Sequence, residues 1–94
     1  MPYYTYILAS KPGGTLYIGT TNDLIRRIHE HREAVVPGFT KRYTVHRLVY
    51  FEEHATSEQA ISREKRLKTW LRVWKIQLIE TSNPDWDDLY PGLL

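Results

Sequence analysis

The chain has 94 residues, which gives room for one domain around a thin core. It contains no cysteine, so disulfides, thiolate nucleophiles and thiolate metal ligands are excluded. Of its 11 acids, four (Glu80, Asp85, Asp87, Asp88) fall after Ile79 with no base among them, leaving 13 bases against seven acids in the body of the chain. That asymmetry fits an anionic partner, nucleic acid first, and equally a solubilising surface with a solvated tail. Apolar residues make up 41% and charged residues 26%, as in a water-soluble globular domain. No apolar run approaches the roughly 18 residues that a membrane span needs. The start Met1-Pro2-Tyr3-Tyr4 lacks the basic and apolar stretches of a signal peptide, so a cytoplasmic location is expected.

Tyr3 to Ala9 is β-branched and aromatic and reads as a strand. Ser10-Lys11-Pro12-Gly13-Gly14 signals a turn, and Thr15 to Thr20 a second strand, so the chain opens on a β-hairpin. Thr21-Asn22-Asp23 offers N-caps for a helix running to about Ala34. Pro37-Gly38 marks a loop, and Tyr43 to Glu52 reads as a third strand. Thr56-Ser57-Glu58-Gln59 resembles a capping box opening a helix to about Thr69. A last helix, Leu71 to Ile79, is stopped by Asn83-Pro84. The expected fold is α+β, a small three-stranded antiparallel sheet flanked by helices in the order β-β-α-β-α-α. It forms a single domain over 1–94, with 81–94 as an acidic tail packing on the body through Trp86, Leu89 and Tyr90.

Polar residues interrupt the apolar stripes. In the helix after Thr56, Ala60, Ile61, Leu67 and Leu71 form one stripe, and Glu64 falls in its middle. A carboxylate facing a core is costly unless it is paired or holds a cation. Glu64 is therefore either a partly buried partner of an arginine or a metal ligand at the mouth of a cleft. In the first helix Leu24, Ile28 and Val35 make the stripe, His31 lies among them, and Arg27 borders it at i, i+4 spacing from His31. That pair reads either as a core histidine with a snorkelling arginine or as two groups converging on one ligand. His29 and His31 are two residues apart and point away from each other, which excludes a shared zinc. Tyr6 and Tyr17 fall on one face of the hairpin if the turn holds an even number of residues. The remaining tyrosines, Tyr3, Tyr4, Tyr43, Tyr50 and Tyr90, read as sheet formers and core fillers.

Leu16-Tyr17-Ile18-Gly19, then Asn22-Asp23-Leu24-Ile25-Arg26-Arg27 and His31, resemble the core of the GIY-YIG nuclease family. The first triad is then Tyr4-Thr5-Tyr6 and the second Tyr17-Ile18-Gly19, with Glu64 in Ser62-Arg63-Glu64-Lys65-Arg66-Leu67-Lys68 as the metal-binding glutamate. The resemblance covers nearly the whole chain and is nearest to small stand-alone bacterial members described as predicted endonucleases. Tyr4 replaces the glycine of the first triad, and Thr20 and Thr21 stand where some members carry a lysine. The resemblance implies DNA phosphodiester hydrolysis at one Mg²⁺ or Mn²⁺ held by Glu64. Arg27 would bind phosphate oxygens, His31 would hydrogen-bond a tyrosine or the phosphate, and Tyr17 would be the general base oriented by Tyr6, the swapped assignment standing close behind.

Lys41, Arg42, Arg63, Lys65 and Lys68 are the expected DNA contacts, backed by an excess of 12 bases over six acids between Arg26 and Lys75. Phosphate contacts position a duplex without reading its sequence, so low specificity is expected unless a partner protein supplies the address. Two other readings compete. One is a nucleic-acid-binding module that keeps the fold with little or no turnover. The other is a protein-interaction adaptor using Trp70, Trp74 and Trp86.

Overall fold

In the computed structural model, which describes residues 2–33 and 45–94, the aromatic and β-branched run Tyr3–Ala9 forms β1 and Leu16–Thr21 forms β2. They pair antiparallel, with Tyr6 opposite Gly19, Leu8 opposite Tyr17 and Ala9 opposite Leu16. The connection is even, residues 10–15, so Tyr6 and Tyr17 do share a face as diagonal neighbours. Gly13 adopts φ 71 in this turn, a conformation that glycine alone reaches without cost. The third strand, β3 (Arg47–His54), pairs antiparallel with the other side of β1, giving the order β2-β1-β3. It starts and ends later than its composition suggests, and Tyr43 lies outside the described residues.

Helix α1 (Leu24–Arg32) is capped by Asp23, whose Oδ1 accepts the N–H of Arg26 at 3.1 Å. It stops two residues before the expected Ala34, and Val35 lies outside the described residues. Helix α2 (Ser57–Thr69) opens on the expected capping residues: Thr56 Oγ1 accepts the N–H of Gln59 at 3.2 Å, and Gln59 Oε1 accepts the N–H of Ala55 at 3.1 Å. Helix α3 (Arg72–Ser82) follows after one break residue pair and ends at Asn83.

The central strand β1 is buried on both faces and separates two apolar layers. On one, Tyr6 and Leu8 pack with Leu24 and Ile28 of α1 and with Val45 and Leu48. On the other, Ile7, Ala9, Ile18 and Val49 pack with Leu67 of α2, Ile79 of α3 and Trp86. Thr5 Oγ1 donates to the Ala60 carbonyl at 2.9 Å, tying α2 to the middle of the sheet.

The apolar stripe of α2 is narrower than its sequence suggests. Ala60 and Leu67 are fully buried, but Ile61 is 44% and Leu71 59% exposed. Ile61 sits about 100° round the helix from Ala60. Leu71 lies beyond the helix, in extended backbone at the start of α3 (φ −60, ψ 148), so the helical period no longer governs where it points.

After α3 the chain folds back over β3. Asn83 is buried; its side-chain amide donates to the carbonyls of Val49 and Asp87, and its Oδ1 accepts the N–H of Asp87. Trp86 is buried at φ 57 and donates from Nε1 to Glu80 at 2.7 Å. Asp88 pairs with Arg32 and accepts the N–H of Leu48 and of Tyr90, while the Arg32 guanidinium lies over the Tyr90 ring at 4.6 Å. Burial works against the Asp88 carboxylate, but these bonds hold it below the usual range.

Candidate active site

Tyr6 is fully buried in β1, and the residue opposite it on β2 is Gly19. A Cβ at Gly19 would stand 2.5 Å from Tyr6 Oη, 2.7 Å from Cζ and 3.1 Å from Cε1 of Tyr17. The missing side chain is the space into which the Tyr6 ring leans, across β2 toward its outer edge. Tyr17 flanks it on the same face with ring centroids 6.4 Å apart.

Helix α1 brings two more groups to this spot. His31, buried on the inward face of α1, places Nε2 at 3.1 Å from Tyr6 Oη. Its ring centroid is 6.0 Å from that of Tyr6 and 5.5 Å from that of Tyr17, both edge-on. Arg27, one turn earlier, reaches the Tyr6 hydroxyl with its guanidinium and pairs with Glu30 at 3.4 Å. Glu64 arrives from α2, the layer beneath the sheet, and its charge is close enough to bear on the Tyr6 phenol. Lys68, one turn on, donates to Glu64 Oε2 at 2.6 Å. An open hollow beside them is lined by Leu16, Tyr17, Ile18, Lys68 and Lys75.

Burial, with Tyr17 beside it, pushes the Tyr6 phenol up to about 12 against the pull of Arg27. Burial and then the Arg27 charge hold His31 below its ordinary value, so it is neutral at pH 7. Arg27 is lowered by burial, but its bonds to Tyr6 and Glu30 outweigh this and keep it firmly charged. The centre thus holds a neutral phenol, a neutral imidazole and a fixed cation. Among the described residues, no three His, Cys, Asp or Glu side chains gather to cage a metal. A lone half-buried carboxylate suits a hard cation that takes one protein oxygen and keeps its waters, as Mg²⁺ or Mn²⁺ does.

Tyr6, Tyr17, Arg27, His31 and Glu64, chosen from broken stripes and motif spacing, therefore lie together. The expected DNA contacts divide. Lys65 and Lys68 are exposed on α2. Lys41 and Arg42 lie outside the described residues. Arg63 points to the other flank of α2, where its Nε donates to Glu52 at 2.8 Å and its guanidinium lies over Trp70 at 5.1 Å. Glu52 also accepts from Tyr50 at 2.5 Å and bonds His54 at 3.0 Å, which together hold it below its usual range against the effect of burial. Arg63 is thus a cation paired within the fold. Arg72 is another: it donates to the carbonyls of Gly13 and Gly14 and pins the hairpin turn to α3. Two features of the site escape the sequence reading. One is the steric role of Gly19. The other is the Lys68–Glu64 contact, which i, i+4 spacing on a helix signals.

A family model described as the GIY-YIG catalytic domain matches residues 2–77. The chain belongs to the GIY-YIG family. It is 37% identical over 78 residues to a UPF0213 protein of Bacillus pumilus, covering 83% of this chain and 79% of that one. Identity is again 37% over 78 residues with a UPF0213 protein of Haloquadratum walsbyi, covering 83% and 86%. The solution NMR structure of a UPF0213 protein from Bacillus halodurans superposes with a TM-score of 0.57 at 30% identity, covering 94% of this chain and 93% of that one. These GIY-YIG relatives are of about this chain's length, so it resembles the small stand-alone members of the family. No helix among the described residues is long and apolar enough to cross a membrane.

Proposed function

We propose that this GIY-YIG domain hydrolyses DNA phosphodiester bonds, with Tyr17 as general base, Arg27 as the phosphate ligand and Glu64 as the carboxylate that holds a divalent cation. Family membership implies nuclease activity in general. The observation that carries the finer reading is the convergence of five polar side chains, from both strands of the hairpin and from the helices on both faces, at the outer edge of β2.

Hydrolysis needs a water oxygen to attack phosphorus while the bond to the 3′ oxygen breaks. Tyr17, half-buried beside an open hollow, is the tyrosine with access to that water and accepts its proton as phenolate. A free phenol titrates near 10, so working near neutrality requires positive charge nearby, which Arg27 provides and a cation on Glu64 would add to. Tyr6 is enclosed, bonded to His31 and raised to about 12, and so serves as the positioning member of the pair. The planar fork of Arg27 suits two non-bridging phosphate oxygens. Mg²⁺ or Mn²⁺ on Glu64 would supply Lewis-acid stabilisation of the leaving oxygen. Lys65, Lys68 and Lys75 offer sequence-independent contacts to the flanking backbone.

The test is nicking of branched, single-stranded and duplex DNA in Mg²⁺ or Mn²⁺ by the wild type and by Glu64→Ala, with folding of the variant checked by circular dichroism. Cation-dependent cleavage lost in folded Glu64→Ala is the expected result. Equal cleavage by both removes Glu64 from the site, and binding without cleavage in any divalent ion favours a non-catalytic binding module.

A further inference from the structure

Lys68 has only a backbone contact in the reading above, yet its ammonium is placed on the one carboxylate assigned to the cation. Nζ lies 2.6 Å from Glu64 Oε2, a charge-assisted bond at i, i+4 spacing. The Lys68 side chain is 54% exposed, whereas that of Glu64 is only 20% exposed, so the lysine is the more solvent-accessible partner. A hard cation bound to Glu64 needs carboxylate oxygens that are not already neutralised. Ammonium and metal therefore compete for the same group.

We propose that Lys68 is a built-in competitor for the cation site: it holds Glu64 while the metal is absent and is displaced when the metal binds. The inference rests on the reading of Glu64 as the cation ligand. Its physical basis is linkage, since a partner that binds only the metal-free state lowers apparent metal affinity by the stability of that contact. Displacement leaves the ammonium in the hollow lined by Leu16, Tyr17, Ile18 and Lys75, so the competitor has an open place to go. Lys65 separates contact from charge. It is one residue from Glu64, carries the same charge, and is exposed about 100° round the helix.

The experiment is Mn²⁺ binding to the folded full chain without DNA, followed by electron paramagnetic resonance at low salt, for wild type, Lys68→Met, Lys68→Arg, Lys65→Met and Glu64→Gln. Loss of a half-exposed ion pair should tighten Mn²⁺ binding by about two- to fivefold in Lys68→Met. Lys68→Arg, which keeps a competing cation, should stay near wild type, and Lys65→Met should change by less than half of the Lys68→Met effect. Unchanged or weaker binding in Lys68→Met, or an equal gain in Lys65→Met, overturns the proposal while Mn²⁺ loss in Glu64→Gln leaves the reading of Glu64 standing. Wild type that binds Mn²⁺ no better than Glu64→Gln overturns both.

Discussion

Gly19 lies beneath Tyr6: a Cβ added to the glycine would stand 2.5 Å from the tyrosine's hydroxyl oxygen. This one relationship explains why a strand facing a core has no side chain at its centre. Strand glycines are unfavourable for entropy and leave nothing to pack. Here the gap is filled from the neighbouring strand, and the filling side chain is the one that bonds His31.

Gly19→Ala should therefore act as an overpacking mutation, at a cost of about 1–3 kcal/mol. The Tyr6 ring is enclosed and cannot yield as a free side-chain end would, so the displacement passes to Tyr17 and His31. Urea unfolding should show the loss of stability, and nicking should fall in the fraction that remains folded. A wild-type unfolding midpoint would mean that Tyr6 does not need this space.

The two tyrosines should separate by what they lose. Tyr17→Phe should lower nicking by about 10²–10⁴, the usual contribution of a general base. Tyr6→Phe should cost about 1 kcal/mol of stability for its bond to His31 and reduce nicking less. Tyr6 also carries an alkaline signature. Its folded value of about 12 exceeds the ordinary phenol value of 10, so the stability it brings is complete below pH 10 and is lost as pH rises toward 12. The stability of wild type relative to Tyr6→Phe should fall across that window by on the order of 2 kcal/mol, enough to cancel its advantage and reverse it. A difference that stays constant from pH 9 to 12 would place the tyrosine in water, contrary to its burial.

His31 gives the opposite window. Its folded value lies below the ordinary 6.5 because burial and then Arg27 disfavour the imidazolium. The unfolded chain takes up the proton first, so stability is full above pH 6.5 and declines as pH falls through the depressed folded value. Urea midpoints measured from pH 7.5 downward should fall for the wild type, and the fall should be smaller in His31→Gln. Parallel curves for the two proteins would show that the decline belongs to other groups.

How legible these features were in the sequence follows from their range. Capping and turn residues act within a few positions, and Asp23, Thr56 and Gln59 cap as their local patterns require. Helical periodicity placed Ala60 and Leu67 in the core and marked Glu64 and His31 as out of place. It failed at Leu71, where the helix had already ended, because a period holds only while the backbone is regular. Even turn length was enough to bring Tyr6 and Tyr17 to one face. What could not be read was the choice of partner across the fold. Nothing near Arg63 in the chain reveals that Glu52 and Trp70 will be its neighbours, 11 residues before it and seven after. Nor does a glycine in a strand announce which side chain will occupy its place.

The division between Arg63 and Lys65 yields the last prediction. Both are basic residues of α2 two positions apart, and composition alone makes them equivalent. Arg63 is enclosed by a carboxylate and an indole, with its side chain 22% exposed and that of Glu52 20% exposed. Removing it leaves Glu52 with Tyr50 and His54 but without its cation, which should cost about 1–3 kcal/mol. Arg63→Met should accordingly lower the unfolding midpoint and leave duplex affinity, and its dependence on salt, close to wild type. Lys65→Met should do the reverse: its stability stays within about 0.5 kcal/mol of wild type, while the slope of log affinity against log salt falls by about 0.9 for one lost phosphate contact. Fluorescence anisotropy of a labelled duplex across a salt series, with urea unfolding of the same samples, measures both. A lost phosphate contact in Arg63→Met would return Arg63 to the DNA surface and require the Glu52 pair to open on binding.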